Sequence, residues 1–91
     1  MTESLDILRK KLRFRAWHRG TKEADLMMGG FADAHLDDLD AEDLAHFSAL
    51  LDESDLEVYG WVVGRTPVPD AHDTRVMKLL QGFDFTVEGL K

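Results

Sequence analysis

Apolar residues recur every three or four positions along much of this chain, a spacing that places them on one side of an α-helix. A first set lies between basic residues and comprises Leu5, Leu8, Leu12 and Ala16. A second set follows Gly20 and comprises Ala24, Met27, Met28, Phe31 and Ala34. No window alternates apolar and polar residues for long enough to form a sheet. We therefore expect an all-α fold.

Capping residues and prolines divide the chain into segments. Asp40 is typical of a helix N-cap, and Ser54 followed by Glu57 forms a capping box. Pro67 and Pro69 cannot continue a helix, so an extended connector precedes the last segment. A length of 91 residues suits one domain. We predict a small single-domain five-helix bundle over 1–91, with helices at about 3–18, 22–36, 41–52, 55–63 and 71–82 and a flexible tail over 84–91.

Two of these segments have an unusual composition. The fourth, 55–63, is apolar nearly all round, so we expect it at the centre of the core. The second contains Gly29 and Gly30, each of which costs a helix about 1 kcal/mol relative to alanine. We expect a bend or a close backbone contact at these two glycines.

The charge distribution limits the classes of partner. The net charge is −7, and no Lys or Arg occurs between Lys22 and Arg65. Nucleic-acid binding would have to depend on the first helix alone, and the net acidity argues against it. The cations available to that alternative are Arg9, Lys10, Lys11, Arg13 and Arg15. Without a signal sequence, a membrane span or any cysteine, the chain is expected to be cytoplasmic, with no disulfide and no thiolate site.

The sequence offers no convincing metal or catalytic site. The four histidines are far apart, and none is paired with another four residues away. A calcium loop starting at Asp38 would need glycine at its sixth place and glutamate at its twelfth, where the chain has Asp43 and Ala49. Ser48 and Ser54 lack the glycines of a nucleophile elbow. We expect no catalytic residue and no metal.

Charge changes sign at Arg19-Gly20-Thr21-Lys22-Glu23, where the first helix gives way to the second. In one interpretation Gly20 is a hinge, and Arg19 pairs with Glu23 in an exposed bridge that contributes under about 1 kcal/mol. In the other, Gly20 leaves the turn free of a side chain, so that a partner's backbone approaches between two opposite charges. The residues alone leave both interpretations open.

An Arg-Gly-x-x-Glu motif lies within the segment Trp17-His18-Arg19-Gly20-Thr21-Lys22-Glu23-Ala24-Asp25-Leu26. After it come, in this order, Phe31, Phe47 and the segments 55–61 and 76–80. In these features the chain resembles the SdhE family of bacterial succinate dehydrogenase assembly factors, also called FAD assembly factors. The resemblance implies a non-enzymatic factor that binds the flavoprotein subunit of succinate dehydrogenase, with that of fumarate reductase as a second candidate, and promotes covalent attachment of FAD.

The resemblance also implies which residues bind the partner, namely Trp17, His18, Arg19, Gly20, Glu23 and Asp25. We expect the chain to act on the partner's FAD, to hold no FAD stably by itself, and to be a monomer when free. A different class stays open as the alternative. In it the chain is an antitoxin-like or regulatory protein–protein interaction module whose partner is unrelated to flavin.

Overall fold

The computed structural model describes residues 4–83, and every regular element in that range is helical. Five α-helices follow one another: α1 (Leu5–Ala16), α2 (Lys22–His35), α3 (Ala41–Leu51), α4 (Asp55–Val62) and α5 (Arg75–Gln81). Short 3₁₀ segments precede α3 and α5, at Leu36–Asp38 and Asp70–His72. The predicted all-α, five-helix fold is confirmed for these residues. The tail predicted over 84–91 lies outside them, as does residue 3 of the first predicted helix.

Each α-helix begins after a residue whose side-chain oxygen accepts a hydrogen bond from the backbone N–H three positions later. These caps are Ser4, Thr21, Asp40, Ser54 and Thr74. Asp40 Oδ1 lies 2.9 Å from the backbone nitrogen of Asp43, and Ser54 Oγ lies 3.2 Å from that of Glu57. The predicted caps at Asp40 and Ser54 are therefore confirmed. Within residues 4–83, every helix falls short of the length and apolar character that crossing a membrane requires.

Substitution of Asp40 tests its role as the N-cap of α3. Asp40→Ala is expected to lower the free energy of unfolding by about 1 kcal/mol, because the backbone N–H of Asp43 loses its acceptor. Urea denaturation followed by circular dichroism measures the change. Asp38→Ala is the matched control, since Asp38 is an exposed aspartate in the preceding 3₁₀ segment. Equal effects of the two substitutions would contradict the capping role.

The last helix begins later than predicted. In place of a helix over 71–82, the chain forms the Asp70–His72 3₁₀ segment and then α5 from Arg75. Asp73 interrupts the helix because its ψ of 75° lies outside the helical region. Thr74 Oγ1 then accepts from the backbone N–H of Met77 at 3.3 Å. A threonine, and neither of the aspartates at positions 70 and 73, caps this helix.

The core lies between α1, α2 and α3, with α5 packed against α3 and α4. Phe31 of α2 and Phe47 of α3 are fully buried, and their ring centroids are 5.6 Å apart. The fourth helix is not buried all round, contrary to the prediction. Its residues Val58, Trp61 and Val62 are buried, whereas Leu56 is 78% exposed.

The two glycines of α2 have different surroundings, although the helix runs without interruption from Lys22 to His35. A Cβ added to Gly29 would lie 2.2 Å from Cδ2 of Trp17, whose ring covers the helix backbone at this point. A Cβ added to Gly30 would lie 3.4 Å from the Phe83 ring, an ordinary van der Waals distance. The close backbone contact predicted at this pair is confirmed at Gly29.

Candidate functional site

The turn between α1 and α2 depends on a glycine in the left-handed backbone region. Gly20 has a φ of +117°, which residues with a side chain rarely adopt. A Cβ at this position would meet no atom within 4 Å among the described residues. The chain therefore needs glycine for its backbone conformation, while the space beside it stays open to a partner.

Arg19 holds this turn against the loop between α3 and α4. Its Nε donates to Asp55 Oδ1 at 2.7 Å, and its Nη1 donates to the Leu51 carbonyl oxygen at 2.6 Å. Its Nη2 donates to the Glu53 carbonyl oxygen at 3.1 Å. The Arg19 side chain is only 13% exposed. Arg19 thus pairs with Asp55, 36 residues away, and not with Glu23 as the hinge interpretation supposed.

Two further hydrogen bonds fix the turn from the side of α2. Asp25 Oδ1 accepts from the backbone N–H of Arg19 at 2.6 Å. Thr21 Oγ1 accepts from the backbone N–H of Ala24 at 3.2 Å and so caps α2. The backbone from 19 to 25 is consequently held in one conformation, and Gly20 lies at its exposed edge.

A shallow groove of about 340 Å³ lies beside this edge, between the start of α2 and the start of α4. Its lining residues are Thr21, Glu23, Ala24, Asp55, Leu56 and Tyr59. Glu23 is exposed, and no side chain within residues 4–83 pairs with its carboxylate. Leu56 is the most exposed of the large apolar side chains in the same range. The groove therefore combines an available negative charge with an exposed apolar side chain.

Five of the six residues predicted to bind a partner divide into two groups. Gly20, Glu23 and His18 are exposed, whereas Arg19 and Asp25 are engaged in the hydrogen bonds of the turn. The sixth, Trp17, is half-buried over Gly29. Partner binding by these residues stays a prediction, and the geometry indicates that the first group would make contact and the second would support it.

Sequence reasoning missed Leu56 and Tyr59, although helical periodicity could have found them. With about 100° of rotation per residue, Leu56 and Tyr59 share one side of α4. Val58, Trp61 and Val62 lie on the opposite side, where they are buried. The high apolar content of 55–63 concealed this division, because every position looked suited to the core.

The arginines of α1 are engaged within the molecule. Arg9 donates to the carbonyl oxygens of Leu36 and Leu39, at 3.0 and 2.8 Å. Arg13 Nε lies 3.2 Å from Asp33 Oδ1 of α2, and Arg15 Nη2 lies 2.5 Å from Oδ1 of Asp52, which follows α3. Three of the five cations that a nucleic-acid site would need therefore connect α1 to its neighbours. Among residues 4–83, no group of three or more metal-ligating side chains is arranged to hold an ion.

Comparison with known proteins identifies the family of this chain. A family model described as the flavinator of succinate dehydrogenase matches residues 10–84, which include the turn, the groove and most of α1. The chain belongs to the succinate dehydrogenase flavinator family. The resemblance drawn from the Arg-Gly-x-x-Glu motif is thereby confirmed.

Several relatives carry names that describe assembly of FAD or of succinate dehydrogenase. The FAD assembly factor SdhE of Acetobacter pasteurianus is 38% identical over 76 residues, which cover 84% of this chain and 70% of the relative. The mitochondrial succinate dehydrogenase assembly factor 2 of Dictyostelium discoideum is 34% identical over 85% of this chain, and that of Candida glabrata is 37% identical over 91%. The matches span only 55% and 57% of these two mitochondrial proteins.

Proposed function

We propose that this chain is an assembly factor that binds the flavoprotein subunit of succinate dehydrogenase and promotes covalent attachment of FAD to it. The observation that carries the proposal is the edge formed by Gly20, Glu23 and Leu56. Its backbone is fixed from within by Arg19 and Asp25, while its outer surface is open. Membership of the flavinator family and the names of the relatives support this choice of partner.

The groove does not suit FAD itself. Glu23 brings an unpaired carboxylate to its lining, Asp55 is paired with Arg19, and no cation is among the lining residues of the described chain. The pyrophosphate of a dinucleotide would be repelled by such a surface. The nearby guanidinium of Arg19 is already committed to Asp55 and to two carbonyl oxygens. We therefore place the covalent chemistry within the flavoprotein and assign this chain no catalytic residue and no stably bound FAD.

A binding partner without reacting groups can still accelerate the attachment. If the flavoprotein exchanges between arrangements of its domains, a factor that binds one of them more tightly raises its population. When that arrangement holds the reacting groups of the flavoprotein in line, the rate of bond formation rises. A rigid edge suits this role, because little conformational entropy is lost when it binds.

The proposal also covers a second partner, the location and the oligomeric state of this chain. The flavoprotein subunit of fumarate reductase, the second candidate that the resemblance implies, is a second partner in this proposal. The chain acts in the cytoplasm and is a monomer when free.

Omission of the chain tests the proposed function directly. The cognate flavoprotein subunit is expressed with and without this protein, and in-gel fluorescence of covalently bound flavin is followed over time. Flavin attachment is expected to be slower and less complete without the chain. Equal rate and extent in the two cultures would show that the proposed function is wrong.

Substitution of Glu23 tests the surface. Glu23→Ala is expected to reduce covalent flavin at least about tenfold, as loss of a central charged contact commonly does to complex formation. Its circular dichroism spectrum and thermal midpoint should match the wild type, because Glu23 is exposed. Glu42→Ala is the matched control, since Glu42 is an exposed glutamate in the first turn of α3. A melted Glu23→Ala protein would instead assign this residue a structural role.

A further inference from the structure

A surface beyond the edge of Gly20, Glu23 and Leu56 runs along the outer side of α1 and ends at His18, just after the helix. Its residues are spaced three or four apart, and we name it the aromatic–basic face: Ile7, Lys10, Lys11, Phe14 and His18. Phe14 is 64% exposed and Ile7 is 50% exposed. The solvent side of an amphipathic helix is ordinarily polar, so two large apolar side chains there mark a candidate interface.

Phe14 is held in place although it lies outside the core. Its ring stacks on His18, with the ring centroids 4.0 Å apart and an angle of 23° between the planes. His18 Nδ1 lies 2.6 Å from the Phe14 carbonyl oxygen, which fixes the imidazole in turn. An aromatic side chain that is already ordered loses little entropy when a partner covers it. Phe14 therefore has the properties of an apolar anchor.

The charges around Phe14 are positive. A depression of about 420 Å³ is lined by Lys10, Lys11, Phe14 and Arg15. Lys10 forms no ion pair or hydrogen bond within residues 4–83, in contrast with Arg9 and Arg13 on the other side of the helix. Arg15 is already paired with Asp52, so it is Lys10 that gives this face an available positive charge in a chain whose net charge is −7. An acidic segment with an apolar side chain complements both the positive charge and the exposed Phe14 ring of this face.

The aromatic–basic face leads directly to the proposed contact edge. His18 ends the face and is separated by one residue from Gly20. We infer that it is a second contact for the flavoprotein subunit, at which an acidic surface segment of that subunit packs an apolar side chain on Phe14 and places its carboxylates near Lys10. The inference rests on the proposed function and extends the contact surface from the groove along α1. A phosphate backbone is the less suitable occupant, because Arg9 and Arg13 are turned to α2 and the residues after it.

Equilibrium binding to the purified flavoprotein subunit tests the second contact. Phe14→Ala is expected to raise the Kd about tenfold, the usual effect of removing an aromatic anchor. Lys10→Glu is expected to raise it about tenfold at low salt and much less at about 0.5 M NaCl, because screening weakens exposed charge pairs. Lys78→Glu is the matched control, since it makes the same charge change at an exposed position of α5 and should leave the Kd within about twofold. All three variants should keep the wild-type circular dichroism spectrum.

A variant in the groove separates the two proposals. If Leu56→Glu abolishes binding while Phe14→Ala and Lys10→Glu bind as the wild type does, the second contact is wrong and the proposed function stands. If the wild-type chain does not bind the flavoprotein subunit at all, both fail. If the chain binds a duplex DNA oligonucleotide and Lys10→Glu abolishes this, while the same variant binds the flavoprotein subunit as the wild type does, the face binds nucleic acid and the inference is overturned.

Discussion

Gly29→Ala is expected to lower the free energy of unfolding by about 2 kcal/mol, which is the range found when a side chain is forced into an occupied space. The direction is opposite to helix propensity, because alanine favours a helix over glycine by about 1 kcal/mol. The cause is the Trp17 ring, whose nearest atom would lie 2.2 Å from the new Cβ. The ring must leave its place on α2, and its contacts with the helix backbone are lost.

Gly30→Ala supplies the matched control for this prediction. It makes the same change in the same helix, but its Cβ would lie 3.4 Å from the Phe83 ring and needs no displacement. We expect this variant to be as stable as the wild type or more stable by up to about 1 kcal/mol. Urea denaturation of both variants gives the comparison. A Gly29→Ala protein as stable as Gly30→Ala would show that Trp17 does not press on α2.

The helices could be predicted from the sequence because their signals are local. A cap such as Asp40 or Ser54 acts on the N–H three residues later, and that distance is visible in the sequence. The start of the last helix was predicted too early, at about residue 71, because Thr74 caps a helix that begins at Arg75. The backbone of Asp73 decides this, and its ψ does not follow from residue type.

The candidate site could be predicted only in part, because its geometry depends on contacts between distant residues. The motif pointed to the turn between α1 and α2, and Gly20 has there the open space that the second interpretation required, whereas partner binding at this turn stays a prediction. The partner of Arg19 was not predictable from spacing, since Asp55 is 36 residues away whereas Glu23 is a neighbour on the chain. The exposure of the groove residue Leu56 was not predictable for the same reason. Its exposure is decided by which side of α4 the rest of the molecule covers.

Arg19→Ala is expected to lower the free energy of unfolding by about 3 kcal/mol, because it leaves a half-buried carboxylate and two carbonyl oxygens without their donor. Arg13→Ala is the matched control, because Arg13 is an arginine of the preceding helix, α1, that also forms ion pairs. Its bridges to Asp33 and Asp37 involve carboxylates that are 53% and 82% exposed, so its loss should cost under about 1 kcal/mol. Arg19→Lys should recover only part of the loss, since an ammonium cannot direct donors to three separate oxygens as the guanidinium does.

The Arg19→Ala and Glu23→Ala variants should therefore support less flavin attachment for different reasons. Arg19→Ala weakens the support of the edge, so attachment should fall with the folded fraction and recover when trimethylamine N-oxide restores folding. Glu23→Ala removes an outer contact from a folded protein, so the same osmolyte should restore nothing. In-gel flavin fluorescence with purified proteins, with and without the osmolyte, distinguishes the two. An Arg19→Ala protein that is as stable as Arg13→Ala yet inactive would show that the guanidinium itself contacts the flavoprotein, because its internal hydrogen bonds would then contribute little to the fold.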